Sequence, residues 1–289
     1  MFVLYTDTDC DVTPAIAKEY GYKLISMPYS IGDTTYYPHV TENEPNSKDF
    51  YDTLRKGIVP KTSAVNPYEY INYFEPEFQK GNDILYVHFS KEMSGTFNAL
   101  SIALAELKDK YPERTCHLLD TETISLGGLY AAREIGKLYK EGKSIEEIYA
   151  WAENNLQKIA LYFFASDLKF FQKSGRVNGL SAFFGSLIGI HPIIYMNQEG
   201  KLVTLTTVRG KHMAIKKLVN FVNELGDDVK NHQFIIGHCD ALEIAEKLGE
   251  ALKAELGQDL NIEYVAINHT VGSHCGPSTV GVCFNAIHR

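Results

Sequence analysis

Through its first half the chain alternates short apolar runs with amphipathic stretches, a rhythm that few folds accommodate. The runs Phe2–Tyr5, Leu24–Met27, Ile84–Phe89 and Cys116–Leu119 are bounded by turn residues. Between them, Thr13–Tyr20, Ser47–Lys56, Pro67–Lys80, Gly95–Lys110 and Leu126–Glu141 repeat apolar residues at three- and four-residue spacing. The first pattern reads as buried strands and the second as helices with one apolar face. Their alternation predicts a mostly parallel sheet covered by helices, an α/β architecture in which functional residues occupy the loops at strand ends.

After a further helix over Ser144–Asn155 the pattern changes. Longer strand candidates follow at Lys158–Ser166, Pro192–Asn197, Lys201–Thr207, Gln233–His238, Asn261–Ile267 and Thr279–Phe284. The second and third of these, joined by Gln198-Glu199-Gly200, read as an antiparallel hairpin with glycine where positive φ is needed. The second half is therefore expected to be an α+β unit with a mixed or antiparallel sheet, giving domains 1–155 and 156–289. Nothing linker-like marks the boundary, so the halves should pack closely. A length of 289 residues, above the usual span of one hydrophobic core, agrees with two units.

A net charge of −8 repels phosphate backbones and anionic lipid surfaces, so no nucleic-acid partner and at most transient membrane contact are expected. The five cysteines are scattered and include no C-x-x-C pair, which argues against a disulfide framework or a zinc ribbon. The opening Met-Phe-Val-Leu carries no basic leader, and Leu180–Met196, the most apolar segment, is broken by His191 and Pro192. That segment falls short of the roughly 18 apolar residues a membrane span needs. A cytoplasmic location is the expectation.

Several clusters have the residue types for anion chemistry. Thr62-Ser63 sit in a loop, and Ser94-Gly95-Thr96 open a long helix, where free N–H groups and the helix dipole favour a carboxylate or phosphate. The same residues would also serve as ordinary N-caps. Asn268 to Ser278 reads as a glycine-rich loop containing His269 and His274. Lys173-Ser174-Gly175-Arg176 and Val208-Arg209-Gly210-Lys211 place arginines beside turn glycines, where a planar guanidinium can grip a carboxylate. Asp9-Cys10-Asp11-Val12-Thr13 fits the D-x-D-x-T pattern of haloacid-dehalogenase-like phosphatases, which makes an Mg²⁺-dependent phosphatase using Asp9 and Asp11 the alternative function. Against it, Thr6-Asp7-Thr8 separate Asp9 from the strand, and Asp9 and Thr13 also suit capping of the first helix. His238, Cys239, Asp240, His269, His274 and Cys275 lack the spacing of a known metal site, so no metal is expected. Neither a phosphate-binding G-x-x-x-x-G-K-[ST] loop nor a G-x-G-x-x-G dinucleotide fingerprint is present, and no cofactor is expected.

In order and spacing, the segments Thr6-Asp7 with Asp11, Lys61-Thr62-Ser63, Ser94-Gly95-Thr96, Gly175-Arg176-Val177, Gly189-Ile190-His191-Pro192, Val208-Arg209-Gly210 and Gly272-Ser273-His274-Cys275-Gly276-Pro277 together resemble the DegV family. These are fatty-acid-binding proteins that serve as the acyl-carrying subunit of bacterial fatty acid kinase. The resemblance implies a two-domain α/β fold with a lipid tunnel between or beside the domains. It implies a non-catalytic protein that holds a long-chain fatty acid and presents the carboxylate to the catalytic subunit of the kinase. On this reading Thr62, Ser63, Ser94, Gly95, Thr96, His274 and Gly276 surround the carboxylate, and Arg176 and Arg209 lie near the head group or at the kinase docking surface. Phe163, Phe164, Phe170, Phe183, Phe184, Leu187, Ile188 and Ile190 are candidates for the tunnel wall. The chain departs from the family pattern at Thr8, Ser174, His191 and Ser278, where Ser, Gly, Lys and Gly are usual. Burying about fourteen methylenes at ~0.8 kcal/mol each yields on the order of 11 kcal/mol, so the tail would supply the affinity.

Overall fold

A computed structural model describes residues 2–179 and 189–289. The first half contains strands β1 (Phe2–Asp7), β2 (Tyr22–Ile25), β3 (Tyr29–Ile31), β4 (Thr34–Tyr36), β5 (Lys61–Thr62), β6 (Asp83–His88) and β7 (Cys116–Asp120). The second contains β8 (Ile159–Phe164), β9 (Val177–Asn178), β10 (Ile190–Met196), β11 (Leu202–Arg209), β12 (Phe234–His238), β13 (Ile262–Ala266) and β14 (Val280–Asn285). Among the described residues three sheets form: an all-parallel one ordered β2-β1-β6-β7, a large mixed one ordered β13-β12-β14-β8-β10-β11-β9, and a small antiparallel one ordered β4-β3-β5. The α/β reading and the mixed second sheet are both observed.

Local chemistry explains the element ends. Asn66 and Glu69 form a reciprocal capping box at the start of helix Pro67–Gln79, and Ser144 with Glu147 does the same for helix Ile145–Asn155. The hairpin β10–β11 turns at Asn197–Gly200, with Gly200 at φ +75°. Two helices, Lys211–Leu225 and Leu242–Leu256, supply the helical part of the α+β second half. Their inward stripes, Ala214, Leu218 and Val222 on one and Ala245, Leu248 and Leu252 on the other, cover one face of the large sheet.

The opposite face of that sheet carries a different neighbour. Helix Leu126–Lys140 packs on β8, β12 and β14 and on the turn Thr8–Cys10 that ends β1, so it forms the middle layer between the two halves. Its approach to that turn requires Gly128, because a Cβ there would stand 2.8 Å from the Cys10 sulfur and 2.9 Å from the Cys10 Cα. One apolar cluster runs without interruption from Leu4 and Val87 through Leu129 to Leu161, Phe163 and Cys283. Residue 155 ends a helix and is followed by the short turn Leu156–Lys158. The buried Arg289 guanidinium also crosses that point, donating to the carbonyls of Thr121 at 3.1 Å, Leu156 at 2.7 Å and Ile159 at 3.2 Å.

Candidate functional site

Between the face of the large sheet that bears Leu161 and Phe163 and the loops ending β1, β5 and β6 lies a cavity. Its empty volume is about 1100 Å³, counting the mouth open to solvent. Phe89, Leu126, Leu161, Phe163, Phe171 and Leu202 supply apolar walls, and Gly281 opposite Phe163 keeps the floor low.

Polar groups gather at one end. Thr62 arrives on the edge of the small sheet, and His274 arrives on a helix, His269–Cys275, where the sequence suggested a loop. Asn268 caps that helix by accepting the Val271 N–H at 3.0 Å. The helix is fastened to the small sheet by His269, whose Nδ1 meets Tyr29 Oη at 3.1 Å and Glu44 Oε1 at 2.9 Å while its ring stacks on Phe50. Thr270 adds a hydrogen bond from its hydroxyl to the Met27 carbonyl at 2.7 Å. These ties bring Thr62 Oγ1 and His274 Nε2 to 3.0 Å. Burial, reinforced by the Arg176 charge, drives the His274 pKa down to about 4, so the imidazole is neutral at neutral pH.

Ser94 lies beside them at the turn before helix Thr96–Lys110, and its Oγ accepts the Thr96 N–H at 3.2 Å. Its own O–H proton is therefore left to donate into the cavity. Ser63, Gly95 and Arg176 complete this end. A carboxylate placed here would meet two hydroxyls, a guanidinium and the positive end of a fifteen-residue helix.

Other candidates stand elsewhere. Thr96 turns inward, where its Oγ1 takes the Val65 N–H at 3.1 Å and bonds Tyr70 Oη at 2.9 Å, so its hydroxyl is consumed by the fold. Gly276 does not line the cavity; it lies against the Phe170 ring, 2.2 Å from where a Cβ would sit, at φ +69°. Phe170 is spent on that packing, and the neighbouring Phe171 lines the cavity instead. Phe164 points to the opposite face of its strand, among the residues under the second-half helices, and meets His191 edge-on. Ile190 and Arg209 pair at the far end of the hairpin, away from the cavity, with Arg209 exposed. Phe183, Phe184, Leu187 and Ile188 lie outside the described residues. Among the described residues, no three His, Cys, Asp or Glu side chains converge as metal ligands.

Three of the four departures from the family pattern have local partners, and Ser278 has no structural explanation. Thr8 accepts the Met27 N–H at 2.9 Å, and Ser174 donates to the Phe171 carbonyl at 3.0 Å. His191 is buried and held by the Ala165 carbonyl at 3.0 Å. Ser278 occupies the left-handed region at φ +64°, a conformation that costs any L side chain.

Asp9 also lines the cavity, a role the D-x-D reading missed. Burial, with repulsion from Asp7 and Asp11, drives its carboxyl well above the usual range, which disfavours the nucleophilic carboxylate a phosphatase needs. Asp11 is held by the Ser125 hydroxyl and by the main-chain and side-chain N–H groups of Asn268 at 2.8 and 2.7 Å. The phosphatase reading finds no support in this arrangement.

The sequence matches the family model described as "Uncharacterised protein, DegV family" over residues 1–286. A DegV domain-containing protein of Clostridium perfringens is 33% identical over 284 residues, spanning 98% of this chain and 97% of the relative. A fatty acid binding DegV family protein from Streptococcus agalactiae superposes with a TM-score of 0.83 at 26% identity, over 98% of both chains. A DegV family protein from Thermus thermophilus, whose structure is described as one of fatty acid binding, reaches 0.85 at 22% identity over 99% of both.

Proposed function

The chain belongs to the DegV family, and from that premise we propose that it binds a long-chain fatty acid and presents the carboxylate to a partner kinase. One observation carries the proposal: a largely apolar cavity gathers hydroxyl and guanidinium donors and a neutral histidine, with Asp9 the one acidic side chain lining it among the described residues. Stripping water from a carboxylate costs several kcal/mol unless donors replace the lost hydration, and Thr62, Ser94 and Arg176 are such donors. Binding by the Streptococcus agalactiae relative, over nearly the whole of both chains, supports the same ligand class.

Presentation rather than catalysis fits the remainder. Phosphoryl transfer to a carboxylate needs ATP, Mg²⁺ and charge-neutralising groups, and the chain has no phosphate-cradling glycine loop. A more open surface depression adjoins the mouth, shares Ser94, Gly95 and Arg176 with it, and adds Lys91 and Lys201, the latter 3.6 Å from Glu92. It suits the approach of an enzyme carrying a bound nucleotide. Arg209, distant from the cavity, is assigned to docking and not to the head group.

Native mass spectrometry of the purified protein tests binding directly. A retained fatty-acid mass is expected, and a protein that stays empty after incubation with oleate would refute the reading. Arg209→Ala should keep its lipid and lose kinase-coupled acyl-phosphate formation; intact coupling would remove Arg209 from the docking surface.

A further inference from the structure

The cavity has a second polar group, remote in chemistry from the first. Asp9 sits on the turn after β1 and is 8% exposed; it lines the cavity beside Met27, Ser125 and Leu126. Each flanking carboxylate has partners: Asp7 accepts through Oδ2 from Tyr86 Oη at 3.0 Å and from the Phe89 N–H at 3.3 Å, its Oδ1 being buried without one, and Asp11 is held by Ser125 and Asn268. Asp9 differs. Among the described residues nothing bonds to its carboxyl, and Oδ1 is buried without a partner. Among the described residues no ion pair reaches the Asp9 carboxylate, whose nearest charges, Asp7 and Asp11, repel it.

A buried carboxyl with these surroundings holds its proton and is at once a donor and an acceptor. Laid against a plain hydrocarbon tail, it loses water and gains nothing, an arrangement that folded proteins avoid. An oxygen on the tail would complete it. We propose that Asp9 is a specificity-determining residue, and that the cavity takes fatty acids bearing a hydroxyl group along the chain, which the Asp9 carboxyl hydrogen-bonds while the acid head lies at Thr62 and Ser94. Sites built to hydrogen-bond a ligand hydroxyl discriminate against the analogue lacking it, because their own polar group is then left unpaired.

The inference rests on the fatty-acid reading, and the test separates the two. Delipidated protein is titrated with stearic acid and with monohydroxystearic acids hydroxylated at successive mid-chain carbons, each competing against a fluorescent acyl probe. At least one hydroxy isomer should bind about tenfold tighter than stearic acid. Asp9→Leu should reverse that order, and Asp9→Asn, which still donates and accepts, should keep it. Stearic acid binding tighter than every hydroxy isomer in the unaltered protein overturns the proposal without touching the fatty-acid reading, and requires no variant to fold. An unchanged ratio in a folded Asp9→Leu protein also overturns it. Failure of every acid and of the probe to bind refutes the fatty-acid reading itself.

Discussion

The two faces of β8 have almost the same composition and opposite uses. Ala160, Tyr162 and Phe164 are sealed beneath helices Lys211–Leu225 and Leu242–Leu256 in a solid core, whereas Leu161 and Phe163, one residue away in each case, face a cavity. The difference lies across the gap. On the solid side the neighbouring β14 contributes Val280, Val282 and Phe284, and the helices fill what remains; on the hollow side β14 offers Gly281, with Thr279 just before the strand. A run of apolar residues thus specifies a buried strand without specifying whether either face is filled.

That contrast is sharpest when broken symmetrically. Phe164→Ala should lower stability by about 3–5 kcal/mol through a new void and leave acid binding alone, whereas Phe163→Ala, which enlarges space already present, should cost roughly 2 kcal/mol and shift the preferred acyl length. Chemical denaturation with parallel ligand titration reads both, and equal stability losses with unchanged chain preference would show that the two faces do not differ. At the polar end, Ser94→Ala and Thr62→Ala should each weaken acid binding about five- to tenfold, one hydrogen bond's worth, with little change in melting temperature. Unaltered affinity in both would remove the head group from that end.

A smaller effect separates a core carboxyl from the polar end of the cavity by pH. Burial lifts Asp7 to about 7, so the folded state keeps a proton that the unfolded chain gives up near 3.8. The stability this contributes is present below 3.8 and is lost as pH rises through 7. His274 has the reverse sign: its pKa falls from 6.5 to about 4, so its contribution is present above 6.5 and is lost as pH falls toward 4. Asp7→Asn should therefore raise the melting temperature at pH 8 and not at pH 4, and His274→Gln should flatten the loss between pH 6.5 and 4. A variant-independent pH profile would contradict both. Least of all, Ser278→Gly should stabilise by about 1 kcal/mol by relieving the left-handed backbone, and a loss of stability instead would mean the serine is held by contacts that outweigh the strain.

Much of this architecture was readable from local pattern. The helix starts at Asn66 and Ser144 and the hairpin turn at Gly200 depend on neighbours a few residues away, and the expected ends lie within a residue or two of those observed. Thr62, Ser94, His274 and Arg176 surfaced because their residue types and order carried the family resemblance. What failed to show depends on distant chain. Helix His269–Cys275 contains a glycine and two histidines and is held by Tyr29, Glu44 and Phe50, so its helical state has little local signature. Thr96 looks like a cavity hydroxyl until Val65 and Tyr70 claim it. Asp9 reads as a helix-capping residue or a nucleophile until burial is known. Phe163 and Phe164 are indistinguishable on paper, and only the register with Gly281 and Val280 decides which one meets a void.

Thr62 and His274 stand 212 positions apart in the chain, yet one hydrogen bond joins them. A nascent polypeptide cannot assemble that end of the cavity until its last helix has emerged and docked on a sheet made long before. Such a non-local closure comes late in folding. On the proposed function, capture of an acid would report on the entire molecule: a chain cut short, or one with its two halves wrongly mated, would be blind to lipid even while most of its strands were correctly paired.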